Sequence, residues 1–165
     1  MDLLGLLHRL LDAWLDLRGR LPAPPRCEDR LSGAELRDLL IARLNANPGD
    51  VHLSDSTYDL YPGTELARFL ANDRVNGTRY VPEVFDCDNF ARAVAGAEAV
   101  WQGQPDPSRR GSTAFGEVWG EWPGMGPHAL CFWVEPETRQ AWLVEPQNDA
   151  VFPVPEGFRA YLVVC

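Results

Sequence analysis

Near residue 114 the chain changes the period of its apolar residues. Before that point leucines and aromatics recur three and four apart, the spacing of helices with one buried face. After it come five short β-rich runs, over residues 114–119, 129–134, 141–144, 150–154 and 158–164, each bounded by turn residues. Helices first and strands afterwards point to an α+β fold, N-terminal helices packed on a C-terminal antiparallel sheet. The chain has 165 residues, 45% of them hydrophobic, which is one domain with a sizeable core.

Four helices are predicted before the switch. Residues 2–18 carry Leu3, Leu6, Leu7, Leu10, Leu11, Trp14 and Leu15 at helical spacing, with Arg9, Asp12 and Asp16 on the other face. This amphipathic helix and a proline-rich connector are assigned to residues 1–26, and the main domain to 27–165. The helix can pack on its own domain, on a second copy or on a partner. Ser32 and Glu35 fit a capping box opening a second helix, with Leu36, Leu39, Leu40 and Leu44 facing in, and Asn47-Pro48-Gly49 stopping it. Thr64 is expected to cap a short third helix to Asn72. The fourth runs from about Asp86 to Gln102, with Phe90, Val94, Ala97 and Trp101 on one face. Residues 103–112 read as a loop.

Charge narrows the partners. The net charge is −9, and all 15 basic residues are arginine. No basic stripe is present to neutralise phosphates or an anionic bilayer, so neither nucleic acid nor membrane is expected as a partner. No leader segment and no run of about 18 apolar residues is visible, which suggests a cytoplasmic protein. Cys27, Cys87, Cys131 and Cys165 form no C-x-x-C pair, so neither a disulfide framework nor a zinc site is expected.

Three residues could carry chemistry. Cys87 falls in the first turn of the fourth helix, where free N–H groups and the helix dipole favour an anion such as a thiolate. Asp86 and Asp88 oppose that effect. His128 follows a glycine-rich loop and opens an apolar strand, a rigid seat for a proton-transferring ring. Glu145 ends the next strand; if the two strands pair, its carboxylate can orient the imidazole. Each residue also has a plain structural reading: a small core thiol, a strand-end histidine, a solvated glutamate. His8 and His52 read as structural.

Taken together, Asp86-Cys87-Asp88-x-Phe90, Gly126-Pro127-His128-Ala129 and Glu145-Pro146-Gln147 resemble the Marasmius oreades agglutinin family, over roughly residues 50–165. The C-terminal domain of that family is a papain-like, calcium-dependent cysteine protease. The resemblance implies a papain-like fold, Cys87 as nucleophile, His128 as base, Glu145 as orienting carboxylate and a peptide or protein substrate. Gln147 is the candidate oxyanion or substrate-binding residue. Calcium is implied by the resemblance alone, with Asp55, Asp59, Asp86, Asp88 and Asp149 as acidic residues without assigned roles. The family's sugar-binding part has no counterpart here, since Gln140-Ala141-Trp142 is a lone Q-x-W. The expectation is a cysteine peptidase or related thiol hydrolase, a hydrolase of the thiol-protease kind from a phage or bacterium. The alternative is a catalytically silent papain-like binding or structural module, in a phage particle or another assembly, with the N-terminal helix as a self-association element.

Overall fold

The computed structural model describes residues 23–104 and 111–165. The expected helix over residues 2–18, and any self-association through it, lie outside the described residues. Ser32 opens the first described helix as its sequence suggests. Its hydroxyl accepts from the Glu35 N–H at 3.2 Å, and the Glu35 carboxylate accepts from the Ser32 N–H at 2.8 Å. These bonds satisfy donors that a helix start leaves open, and they hold the Glu35 carboxyl below its usual range. The helix α1 (Gly33–Leu44) buries Leu36, Leu40 and Leu44 and stops at Asn45, whose φ of 51° is left-handed.

Among the described residues two further helices follow, α2 (Gly63–Leu70) and α3 (Cys87–Gln102), together with nine strands: β1 (Asp29–Ser32), β2 (Val51–His52), β3 (Thr57–Leu60), β4 (Ser112–Thr113), β5 (Phe115–Trp122), β6 (Gly126–Val134), β7 (Ala141–Glu145), β8 (Ala150–Pro153) and β9 (Arg159–Val164). The architecture is α+β. The main sheet has six strands in the order β2-β9-β5-β6-β7-β8. It is antiparallel except at one edge, where β2 runs parallel to β9. A second sheet, β1-β3-β4, was not expected. Its strands come from the residues just after the proline-rich connector, from residues 57–60 and from the end of the stretch read as loop. Each is short, and its partner is distant in the chain. Thr64, the expected cap, lies inside the first turn of α2. That helix begins one residue earlier, after Pro62, whose carbonyl accepts from Glu65 N–H at 2.9 Å.

The six-stranded sheet is covered on both faces. Leu36, Leu40 and Leu44 of α1 pack on Val118, Leu130, Phe132 and Leu143. Leu66 and Phe69 of α2, with Val94 and Trp101 of α3, pack on Phe115, Ala129, Cys131, Trp133 and Val144. This is why β6 is apolar at every position from Ala129 to Val134: alternate side chains enter two different cores. Asp59 is buried where the two sheets meet and takes Arg30 at 2.6 Å. Trp101 stacks on Phe69 with centroids 5.0 Å apart and donates to the Ala23 carbonyl at 2.8 Å, fastening the chain before β1 to the second core.

Candidate functional site

Helix α3 and strand β6 run in the same direction, pinned where the buried Cys131 thiol donates to the Ala91 carbonyl at 3.3 Å. Cys87 lies one helical turn before Ala91, about 6 Å along the axis. His128 lies three strand residues before Cys131, about 10 Å back. Both therefore come to the same end of the sheet, which is also the end where β7 finishes at Glu145. The three expected residues share that end because a helix and two strands stop there.

Within that end, one contact is formed. His128 Nε2 and Glu145 Oε2 are 2.8 Å apart, with side chains only 14% and 13% exposed. The other carboxylate oxygen, Oε1, accepts from the Gln147 backbone N–H at 3.2 Å and from its side-chain amide at 3.3 Å. Pro146 ends the strand, and the Glu145 carbonyl accepts from Asp149 N–H at 2.9 Å, so the turn holds the carboxylate in place. The Trp122 ring stands 5.9 Å from the His128 ring, and Phe152 lies 5.1 Å beyond Trp122. Across the strand pair, His128 is opposite Gly120. A Cβ at Gly120 would meet Phe158 Cζ at 2.4 Å, so only glycine fits beside the ring.

Cys87 is half-buried against the second core. Its Sγ makes no hydrogen bond among the described residues, to His128 or to any other group. The alternation of β6 and β7 gives the reason: His128 and Glu145 fall in line with Leu130, Phe132 and Leu143, on the face opposite Ala129 and Cys131. Helix α3 packs on the latter face. The structure thus joins His128, Glu145 and Gln147 and leaves the thiol as a neighbour. Gln147, expected near an oxyanion, turns its amide to Glu145. Cys131 is buried, and burial pushes its thiol well up.

Asp86 caps α3. With its amide nitrogen turned toward the carboxylates, Asn89 donates to Asp86 Oδ1 at 3.0 Å and to Asp88 Oδ1 at 3.3 Å. Asp86 and Asp88 share a hydrogen bond that pushes the Asp86 carboxyl up and the Asp88 carboxyl down. Asp88 also meets Arg92 at 3.2 Å. Asp55 accepts from Ser112 Oγ at 2.6 Å, and Asp59 serves Arg30; both lie on the β3 side of the molecule. Asp149, with φ 61°, accepts from the Asn76 amide, and burial followed by the charge of Asp73 sets its carboxyl's direction upward and holds it there. Asp73 and Asp149 each keep one buried oxygen without a hydrogen bond. Asp73 carries no sequence motif, and Asn76 reads in the sequence only as the start of an Asn-Gly turn. Two carboxylates fall short of the six or more oxygens calcium takes, and no group of three or more His, Cys, Asp or Glu side chains among the described residues is placed to hold a metal.

No family model and no curated protein matches the chain. Solved structures do. One, described as the PSL1a-E64 complex, superposes with a TM-score of 0.72 at 23% identity, covering 82% of this chain and 51% of that one. Another, the Polyporus squamosus lectin bound to the human-type influenza-binding epitope Neu5Aca2-6Galb1-4GlcNAc, gives 0.71 at 24% identity, covering 82% and 49%. The chain spans about half the length of these proteins. The expectation of a hydrolase of the cysteine-protease kind is corrected here. The one of these two structures whose name states a role is a lectin, which does not support the hydrolase reading. No described helix is long and apolar enough to cross a membrane. What the likeness shows is the fold: this chain has the architecture found within Polyporus squamosus lectin structures.

Proposed function

We propose that this chain is a non-catalytic binding module on a papain-like scaffold, and that its ligand is a neutral carbohydrate seated at the His128–Glu145 end of the sheet. The observation that carries the reading is the pair itself. Its bond at 2.8 Å is braced by Gln147 and lies beside the Trp122 ring. A fixed carboxylate and imidazole present an acceptor and a second polar atom to hydroxyl groups, and the face of an aromatic ring suits the apolar face of a sugar.

The lectin of like fold was solved with an epitope whose first sugar, Neu5Ac, is an acid. A chain of net charge −9 with Glu145 at its site disfavours such an anion, so the proposed ligand is uncharged. The test is a titration of the full chain with neutral and sialylated oligosaccharides, followed by amide NMR. Saturable shifts around His128 and Gln147 with a neutral sugar, weakened at least tenfold in Glu145→Gln and in Trp122→Ala, are expected. Absence of saturable binding overturns the reading. So does rapid iodoacetamide modification of Cys87 that slows in His128→Ala, because it would mark an activated thiol.

A further inference from the structure

A concave site lies on a flank of α3, lined by none of His128, Glu145, Gln147 and Trp122. It is a groove of about 390 Å³ between the second half of α3, strands β4 and β5 and the end of β9. One wall is made of Ala95, Gly96 and Ala99. A Cβ built on Gly96 would meet nothing within 4 Å, so this glycine leaves room rather than relieving a clash. Phe115 adds an apolar side. Glu98 lies toward one end, accepting from Thr113 Oγ1 at 2.8 Å and from Gln102 at 3.3 Å.

Glu117 lies toward the other. Its Oε2 is buried and accepts no hydrogen bond. Arg92 comes no closer than 4.0 Å to that oxygen, beyond hydrogen-bond reach, because it is already engaged by Asp88 at 3.2 Å and lies over the Trp119 ring. A desolvated carboxylate oxygen with an unused lone pair is costly, and burial accordingly pushes the Glu117 carboxyl up.

We propose that this groove binds a primary alkylammonium, its N–H groups on Glu117 Oε2 and its methylene stem along Ala95, Ala99 and Phe115. An ammonium supplies the missing hydrogen-bond donor, and an unbranched stem fits a wall of small residues. The sequence has no lysine, so the side chain of a second copy cannot supply the group. The source is a free polyamine or a lysine side chain of another molecule.

The probes are 1,5-diaminopentane for the free amine and Nα-acetyl-lysine methylamide for the side chain, with 1,5-pentanediol as the uncharged control. Calorimetric titration of the full chain should give saturable binding with one or both amines and none with the diol. Which amine binds tells which source the groove serves. Glu117→Gln should weaken binding at least tenfold. Gly96→Leu, which fills the wall without touching a carboxylate and favours the helix, should do the same in a folded protein. Carbodiimide activation in the presence of the diamine should attach it at Glu117, read by mass spectrometry. The proposal is overturned by no saturable amine binding, by equal affinity for the diol, or by affinities unchanged in both variants.

Discussion

Removing the partners of the His128–Glu145 contact separately and together measures how strongly this end of the sheet is held. The bond is 2.8 Å long, its side chains are 14% and 13% exposed, and its acceptor is a carboxylate. A hydrogen bond to a charged group contributes about 1.5–3 kcal/mol, and leaving a half-buried partner unsatisfied costs about 1–3 kcal/mol. His128→Ala should therefore cost about 2 kcal/mol. Glu145→Ala should cost more, because it also releases the two Gln147 bonds at 3.2 and 3.3 Å. The double variant should cost less than the two singles added, by about 1.5–2 kcal/mol, since neither partner is then left alone. Urea unfolding at one fixed pH, with m unchanged across the set, gives the three values. A coupling below about 0.5 kcal/mol, or a His128→Ala cost exceeding that of Glu145→Ala, would refute the claim that this is a braced pair rather than two surface groups in passing contact.

Other outcomes follow from single features. Ser32→Ala breaks the capping box of α1 and should cost about 1 kcal/mol in the same unfolding assay, with Ser32→Asp costing less. Burial raises the Glu117 carboxyl in the fold, so the folded chain holds that proton more tightly than the unfolded one. Its contribution to stability is present below the ordinary carboxylate pKa and is lost as pH rises through the raised value. Glu117→Gln should remove this fall, and melting temperatures across pH 4–8 check it (~4.3 being the unperturbed glutamate value). Two truncations, to residues 23–165 and to residues 27–165, isolate the contribution of the residues just before β1. Trimming to 27–165 removes the Ala23 carbonyl that Trp101 and Arg68 share at 2.8 Å each, and should lower stability by about 1 kcal/mol or more. Equal melting of the two truncations would show that the connector does not brace the second core.

What could be read before folding was local. Helices α1 and α3 and the strands from β5 to β9 follow from residues a few positions apart: a Ser-x-x-Glu box, leucines at helical spacing, β-branched and aromatic runs between turns. The charge and the absence of lysine are likewise properties of composition. His128 and Glu145 could be suspected of meeting because adjacent strands joined by a short turn usually pair, and β6 and β7 do. Facing was not legible in the same way. Strand alternation puts His128 in line with Leu130 and Phe132, but nothing local says which of those two faces the long helix covers. That depends on α1 taking one face and α2 with α3 taking the other. The second sheet was hidden for a related reason, since β1, β3 and β4 are too short to announce themselves and exist through partners tens of residues away. Tertiary packing alone also decided which carboxylates keep a partner. Glu98 finds Thr113, Asp59 finds Arg30, and Glu117 is left with an unmet oxygen because its nearest arginine turns to Asp88 and Trp119.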